Sequence, residues 1–394
     1  MRYPYSRPHL SDLDTQAVLD VLQGQYLTQG PVVEQLESAL ENLFSVKHAV
    51  ICNSGTAALH MAYHGLGLGP EAGLITSPIT FLATATAARM CNAPVGFADV
   101  DPATGHVTLE TIKAAVASAA FPVRAIAVVH LGGRACSDTA EISAYAESIG
   151  ASLVEDACHA PMAGYFDATG HFFQVGSCAH SQAASLSFHA IKHITTGEGG
   201  VLLTNDEGLA ARARLFRSHG IIRDPAQMTN SRDAGAPWYY EMHELGYNYR
   251  LSEINCALAL NQIGKLEENI QRRRQIAELY HRHLSDLNYI TLPTIPDPDS
   301  GTHAWHLFAP AFDFDAIGKS RREVMNELAS QGIGSQVHYI PLYHQPYYYS
   351  CKTTGAFEGS EAYYKHTLSL PMYYGLSDDD IGVISGRICS VINP

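Results

Sequence analysis

The hydrophobic rhythm of the chain changes at residue 48. Before it, apolar positions recur at helical spacing: Val18, Leu19 and Leu22, then Val33, Leu36, Leu40, Leu43 and Phe44. Ser11 with Asp14 three positions on resembles a capping box and predicts a helix over 11–23. A second helix follows the loop Thr28-Gln29-Gly30-Pro31. After residue 48, short apolar runs without polar alternation take over: His48–Cys52, Gly73–Thr76, Val95–Val100, Ala125–His130, Ser152–Glu155, Ala184–Phe188 and Val201–Thr204. Such runs predict strands buried on both faces. Their alternation with helical segments predicts a mainly parallel, helix-covered sheet.

A long helical pattern runs from Ser252 to Leu287, followed by Pro/Asp/Gly-rich sequence from Pro293 to Gly301. The rest reads as strand (His306–Phe312), helix opened by Ser320 and Glu323, strand (Gln336–Ile340) and helix (Asp378–Val391). The expected architecture is therefore α/β, with a large sheet domain over 1–255. The connecting helix and a small C-terminal α+β domain occupy 256–394.

Composition narrows the function. With 394 residues, 46% of them hydrophobic and 16% charged, the chain can build a sizeable core and is no disordered or coiled-coil protein. A net charge of −14 argues against nucleic-acid binding, which needs a basic face. Met1 to Tyr5 begin no apolar run and no stretch nears ~18 uninterrupted apolar residues, so neither a secretory signal nor a membrane span is expected. The eight cysteines form no C-x-x-C pair, which suits reduced thiols in a cytoplasmic protein.

Ligands of parallel α/β sheets sit at the carboxyl ends of the strands, so the residues ending these runs carry the candidate chemistry. Asn53-Ser54-Gly55-Thr56 opens a helix, where free N–H groups suit a phosphate, although any strand-to-helix turn looks similar. Glu155-Asp156 ends an apolar strand, and two buried acids need partners. A protonated ring nitrogen would serve Asp156; an ordinary ion pair would too. Lys192 lies between apolar residues before a Gly-rich turn, where partial desolvation would lower its pKa and ready it for covalent chemistry; a snorkelling surface lysine is the plainer reading. His189 and His193 are spaced i, i+4, but a metal site would also need acidic or thiol partners with fitting geometry, so they read better as site lining or helix packing and no metal is expected.

Together these segments resemble the DegT/DnrJ/EryC1/StrS sugar aminotransferases, within the fold-type I enzymes of pyridoxal 5′-phosphate (PLP). The resemblance runs from Tyr26-Leu27-Thr28-Gln29-Gly30 to Leu368-Ser369-Leu370-Pro371. Its specific signals are Ser187-Phe188-His189-x-x-Lys192, Thr195-Thr196-x-Glu198-Gly199-Gly200, and Phe216-Arg217-Ser218-His219-Gly220 before Gly246-x-Asn248-x-Arg250. The resemblance implies a seven-stranded sheet and PLP attached to Lys192, which would also carry the proton between Cα and C4′. It implies Asp156 on the pyridine nitrogen, His159 on the ring hydroxyl and Phe81 stacked on the ring. Gly55, Thr56 and Ser187 would hold the phosphate, and Asn248 would reach the phosphate of a neighbouring subunit in a homodimer with shared sites. Thr28, Gly30, His338 and Tyr339 would lie near the sugar, and L-glutamate would donate the amino group.

Within the family, Tyr5-Ser6-x-Pro8, Leu27-Thr28-Gln29-Gly30 and Ser187 to Lys192 most resemble the pseudaminic-acid pathway members, which aminate C4 of a UDP-linked 4-keto-6-deoxy-N-acetylhexosamine. Members that aminate C8 of an oxidised 3-deoxy-octulosonate for lipopolysaccharide are the alternative. Two departures stand out: a longer stretch between His159 and Lys192, and His193 where Pro is common. A PLP sugar dehydratase or a non-catalytic regulator on the same fold would lose Lys192 or Asp156, and both are present.

Overall fold

The seven apolar runs become strands of one sheet in the computed structural model, which describes residues 1–230, 232–296, 301–351 and 356–392. In chain order the strands are β1 (His48–Cys52), β2 (Gly73–Thr76), β3 (Val95–Phe97), β4 (Val123–Val129), β5 (Ser152–Asp156), β6 (Gly164–Phe166), β7 (Phe172–Gln174), β8 (Ala183–Ser187) and β9 (Gly200–Thr204). All but β6 and β7 join a sheet of order β1-β9-β8-β5-β4-β2-β3. Only β9 runs antiparallel to its neighbours.

The absence of polar alternation has its cause in the layers. The helices of this region are α1 (Asp12–Leu22), α2 (Pro31–Phe44), α3 (Gly55–Gly65), α4 (Leu82–Met90), α5 (Leu109–Ser118), α6 (Thr139–Ser148), α7 (Glu207–Arg217) and α8 (Glu253–Ile263). Val50, Leu74, Val154 and Leu202 pack against α3, α4 and α7. Their strand neighbours Ile51, Leu186 and Leu203 pack instead with α2 and α8. Ile75, Ile126 and Leu153 meet α5 and α6. Successive side chains enter opposite cores, so both phases of the strand must be apolar.

Three expectations need correction. The helical run from Ser252 is two helices, α8 and α9 (Leu266–Leu284), because the chain breaks at Gly264-Lys265. The strand expected to reach Val100 stops at Phe97, and Asp99 instead caps a later helix by accepting from the N–H groups of Gly359 and Ser360. Most of the strand character expected over 306–312 and 336–340 reduces to isolated bridges, Phe308 with Leu370 and Gln336 with Ser369, beside the short pair Ile290–Thr291 and Ala311–Phe312. Small-domain packing is helical: Ile276, Tyr280 and Leu284 of α9 meet Val324, Leu328, Ile381 and Ile388. The position 255/256 falls inside α8, which packs on α1 and α2.

The longer stretch after His159 contains the β6–β7 hairpin. Its turn is held by Asp167 Oδ1, which accepts from the N–H groups of Thr169 and His171, and by Gly170 at φ 80°.

Candidate active site

At the carboxyl end of β1 the chain turns into α3. Ser54 caps the helix by accepting from the Ala57 N–H at 3.1 Å. The N–H groups of Gly55 and Thr56, in the first turn, have no intrahelical acceptor. A Cβ on Gly55 would lie 3.0 Å from Ser187 Cβ and 3.1 Å from Cys158 Sγ, so a larger residue would push α3 and the end of β8 apart by a few tenths of an ångström. Free amides at the positive end of a helix dipole are a phosphate site. They line a cavity of ≈ 640 Å³ together with Phe81, Asp156, His159, Ser187, Lys192, His338 and Tyr339.

Strand alternation sends the two acids of β5 opposite ways. Asp156 lines the cavity, accepting from Thr84 Oγ1 at 2.6 Å and from the Cys158 N–H at 3.2 Å. It has no ion pair among the described residues. Glu155 points away, beneath the loop that follows the hairpin. The Cys136 N–H donates to His130 Nδ1, so His130 Nε2 carries the hydrogen that is donated to Glu155 at 3.0 Å. Ser181 Oγ donates at 2.6 Å and the Gly176 N–H at 3.3 Å. Burial pushes the Glu155 carboxyl up, yet these donors outweigh it and hold it below the usual value. Glu155→Ala should strand three donors and cost about 3 kcal/mol of stability in denaturant titration, with the cavity residues in place.

Lys192 sits in a non-helical turn between β8 and β9 and lines the cavity. Burial lowers its pKa from 10.5 to about 8, against the opposing pull of the nearby Cys158 and Asp156. His159 is buried and neutral, desolvation keeping its pKa well below the usual value. Its Nδ1 accepts from the Gly132 N–H at 3.3 Å, so Nε2 carries the hydrogen and faces Tyr339 Oη at 3.2 Å. Phe81 presents a ring 57% exposed beside this group, 6.2 Å from Tyr339. His189 lines the cavity, whereas His193 is buried and donates from Nε2 to the Ala304 carbonyl at 2.7 Å. Among the described residues no cluster of His, Cys, Asp and Glu is placed to hold a metal ion.

Three of the expected site residues lie outside this cavity. Thr28 bridges to Ser252, the Gly30 N–H donates to Glu253 at 3.0 Å, and Asn248 is exposed, its carbonyl accepting from Asn53 Nδ2 at 3.3 Å. Sequence reasoning missed others that belong. Thr84 holds Asp156, and Cys158, Gln336, Gln345 and Tyr5 line the wall. Thr84 follows Phe81 by one helical turn, a signal the sequence did carry.

The residues fit PLP. Two free amides suit its phosphate, the Phe81 ring suits its face, and a buried carboxylate that makes no ion pair among the described residues suits a protonated ring nitrogen. The cofactor supplies an electron sink for breaking bonds at the amino carbon. The chain would supply the amine of Lys192, the charge of Asp156 and the amides of Gly55 and Thr56 to hold the phosphate. A parallel sheet of this order with a desolvated lysine at its strand ends defines the class: a fold-type I, PLP-dependent aminotransferase.

The chain belongs to the DegT/DnrJ/EryC1/StrS aminotransferase family, whose model matches residues 8–388. It is 36% identical over 393 residues to the spore coat polysaccharide biosynthesis protein SpsC of Bacillus subtilis, covering 99% of this chain and 97% of that one. It is 33% identical over 388 residues to a UDP-4-amino-4,6-dideoxy-N-acetyl-beta-L-altrosamine transaminase of Campylobacter jejuni, covering 98% and 97%. Among solved structures it superposes on Helicobacter pylori PseC, an aminotransferase of pseudoaminic acid biosynthesis, with a TM-score of 0.88 and 28% identity, covering 100% and 99%. It is a sugar aminotransferase of glycan biosynthesis.

Proposed function

We propose that the enzyme transfers an amino group from L-glutamate to C4 of a UDP-linked 4-keto-6-deoxy-N-acetylhexosamine. The carrying observation is the cavity wall formed by Gln336, His338 and Gln345, which presents neutral hydrogen-bonding groups to the sugar part of a ligand. Burial lowers the pKa of His338 to about 4, so it meets a ligand uncharged. Such a surface reads hydroxyl and amide groups. The similarity to the Campylobacter transaminase and to PseC supports the nucleotide-linked keto sugar. The test loads the enzyme in its pyridoxamine form and offers, separately, that sugar and an 8-oxo-3-deoxy-octulosonate, following the visible absorbance of the cofactor. A response to the octulosonate alone would overturn the proposal.

The roles of the site residues follow. Lys192 holds the cofactor and moves the proton at the amino carbon. Asp156 faces the ring nitrogen, Phe81 its face, and His159 its hydroxyl, with Tyr339 Oη as the neighbour of His159. Gly55, Thr56 and Ser187 take the phosphate. Asn248, Thr28 and Gly30 serve the site of a second subunit, since all three lie outside their own cavity. Large apolar side chains close to them in sequence are open to solvent: Leu27 is 52% exposed and Leu245 73%. A second copy would cover this face. Leu27→Glu with Leu245→Glu, both surface changes, should leave the fold intact and halve the mass seen by light scattering. Cofactor affinity should fall with it, because Asn248 no longer reaches its target. The free thiols suit the reducing cytoplasm.

A further inference from the structure

The first five residues carry a side chain into the cavity that the reading above does not use. The N-terminal strap is pinned to the small domain by main-chain bonds: Tyr3 N–H to the Gly332 carbonyl at 2.8 Å, Gly334 N–H to the Tyr3 carbonyl at 2.7 Å, and Met372 N–H to the Tyr5 carbonyl at 3.0 Å. Tyr3 is buried in the small-domain core beside the Arg387 guanidinium. A Cβ on Gly334 would lie 2.8 Å from the Tyr5 nitrogen, so this close approach requires glycine. The strap therefore delivers Tyr5 at a fixed place on the cavity wall, its ring 5.6 Å from that of His338.

Tyr5 is only partly buried, and its hydroxyl makes no hydrogen bond among the described residues. A phenol held beside an open cavity without a partner is a donor and acceptor waiting for a ligand. Its neighbours on this wall, Gln336, Val337 and His338, bring no cation. Carboxylates such as those of the amino donor are bound by charge-assisted pairs, which this wall does not offer. Sugar hydroxyls need only the neutral donors and acceptors that it does. Burial raises the Tyr5 pKa above 10, so the hydroxyl keeps its proton at working pH.

We infer that Tyr5 is a specificity residue for the acceptor sugar, donating its hydroxyl hydrogen to a sugar oxygen while taking no part in binding the amino donor. The inference rests on the sugar-transaminase reading of this cavity. The two half-reactions separate it from that reading. Tyr5→Phe keeps the ring and every main-chain bond of the strap. Glutamate should convert the variant's PLP form to the pyridoxamine form at the wild-type rate. The pyridoxamine form should then react with the UDP-linked 4-keto-6-deoxy-N-acetylhexosamine with kcat/KM lowered about tenfold, mainly through KM, the loss of one hydrogen bond. Gly334→Ala, which pushes the strap away, should reproduce the split. Equal slowing of both half-reactions, or of neither, overturns the inference. A wild-type enzyme that reacts with glutamate but not with this sugar overturns the substrate proposal, and the tenfold split must then hold for the octulosonate or the inference falls too.

Discussion

Replacing Lys192 with alanine should reduce turnover on the order of 10⁴-fold while the protein still folds and still binds PLP. The side chain lines an open cavity and makes no hydrogen bond or ion pair among the described residues, so its removal strands no partner. On the proposed assignment the helix amides, the Phe81 ring and Asp156 would remain to hold the cofactor, and what would disappear is the amine proposed to attach it and to move a proton. The absorbance of the bound cofactor should therefore shift to that of the unattached aldehyde, and single-turnover reaction with glutamate should nearly stop. Turnover near the wild-type rate would remove Lys192 from the mechanism. The lowered pKa adds a second, independent readout. Attachment requires the neutral amine. With a pKa of about 8, roughly half of Lys192 is neutral at pH 8, against less than about one in a hundred for an ordinary lysine. Burial disfavours the charged form, so the rate of PLP attachment to the cofactor-free protein should rise about tenfold per pH unit below 8 and level off above it. A rise that continues towards 10.5 would mean that the cavity does not desolvate the lysine.

Most of the sheet was legible because burial on both faces leaves no polar phase: Val50 and Ile51 enter different cores, so the run His48–Cys52 reads as one apolar block. The strand-end rule then picked out Gly55, Asp156 and Lys192, which the fold brings to one cavity. What stayed hidden depends on distant contacts. Nothing local marks Tyr5 as a cavity residue; Gly334, more than three hundred positions away, sets its place. His130 acts only through Glu155, and the tautomer that makes it a donor is set by the Cys136 N–H. The β6–β7 strands are three residues each, too short for any periodicity, although the Asp167-to-Gly170 turn was readable in principle. The segment Gln336–Ile340 has the apolar content of a strand, but its side chains line a cavity and leave a sheet unbuilt. Pattern alone does not distinguish these two uses of apolar side chains.

Asp156→Asn should lower kcat by about 10² to 10³-fold and leave stability almost unchanged. The carboxamide fills the same space, and its oxygen can still accept from Thr84 Oγ1 or the Cys158 N–H. Only the negative charge is lost. That charge makes no ion pair among the described residues, although Lys192 lies near enough to feel it, and a ligand cation would complete its pairing. On the proposed reading a protonated pyridine nitrogen would be that cation, and its positive charge would let the ring withdraw electrons from the amino carbon. Loss of the Asp156 charge would then weaken that withdrawal. Lys192 is untouched, so the cofactor should still attach, and its absorbance should report an intact linkage in an enzyme that barely turns over. Thr84→Val is the graded control: it removes one donor, leaves the charge, and should cost no more than about tenfold. If the asparagine variant kept full activity, the charge at β5 would be structural, and the functional pairing would have to be sought elsewhere in the cavity. The neighbouring acid offers the contrast. Glu155 carries its own charge a single residue away, but His130, Ser181 and Gly176 already satisfy it on the opposite face, so its loss should appear in stability and not in the chemistry.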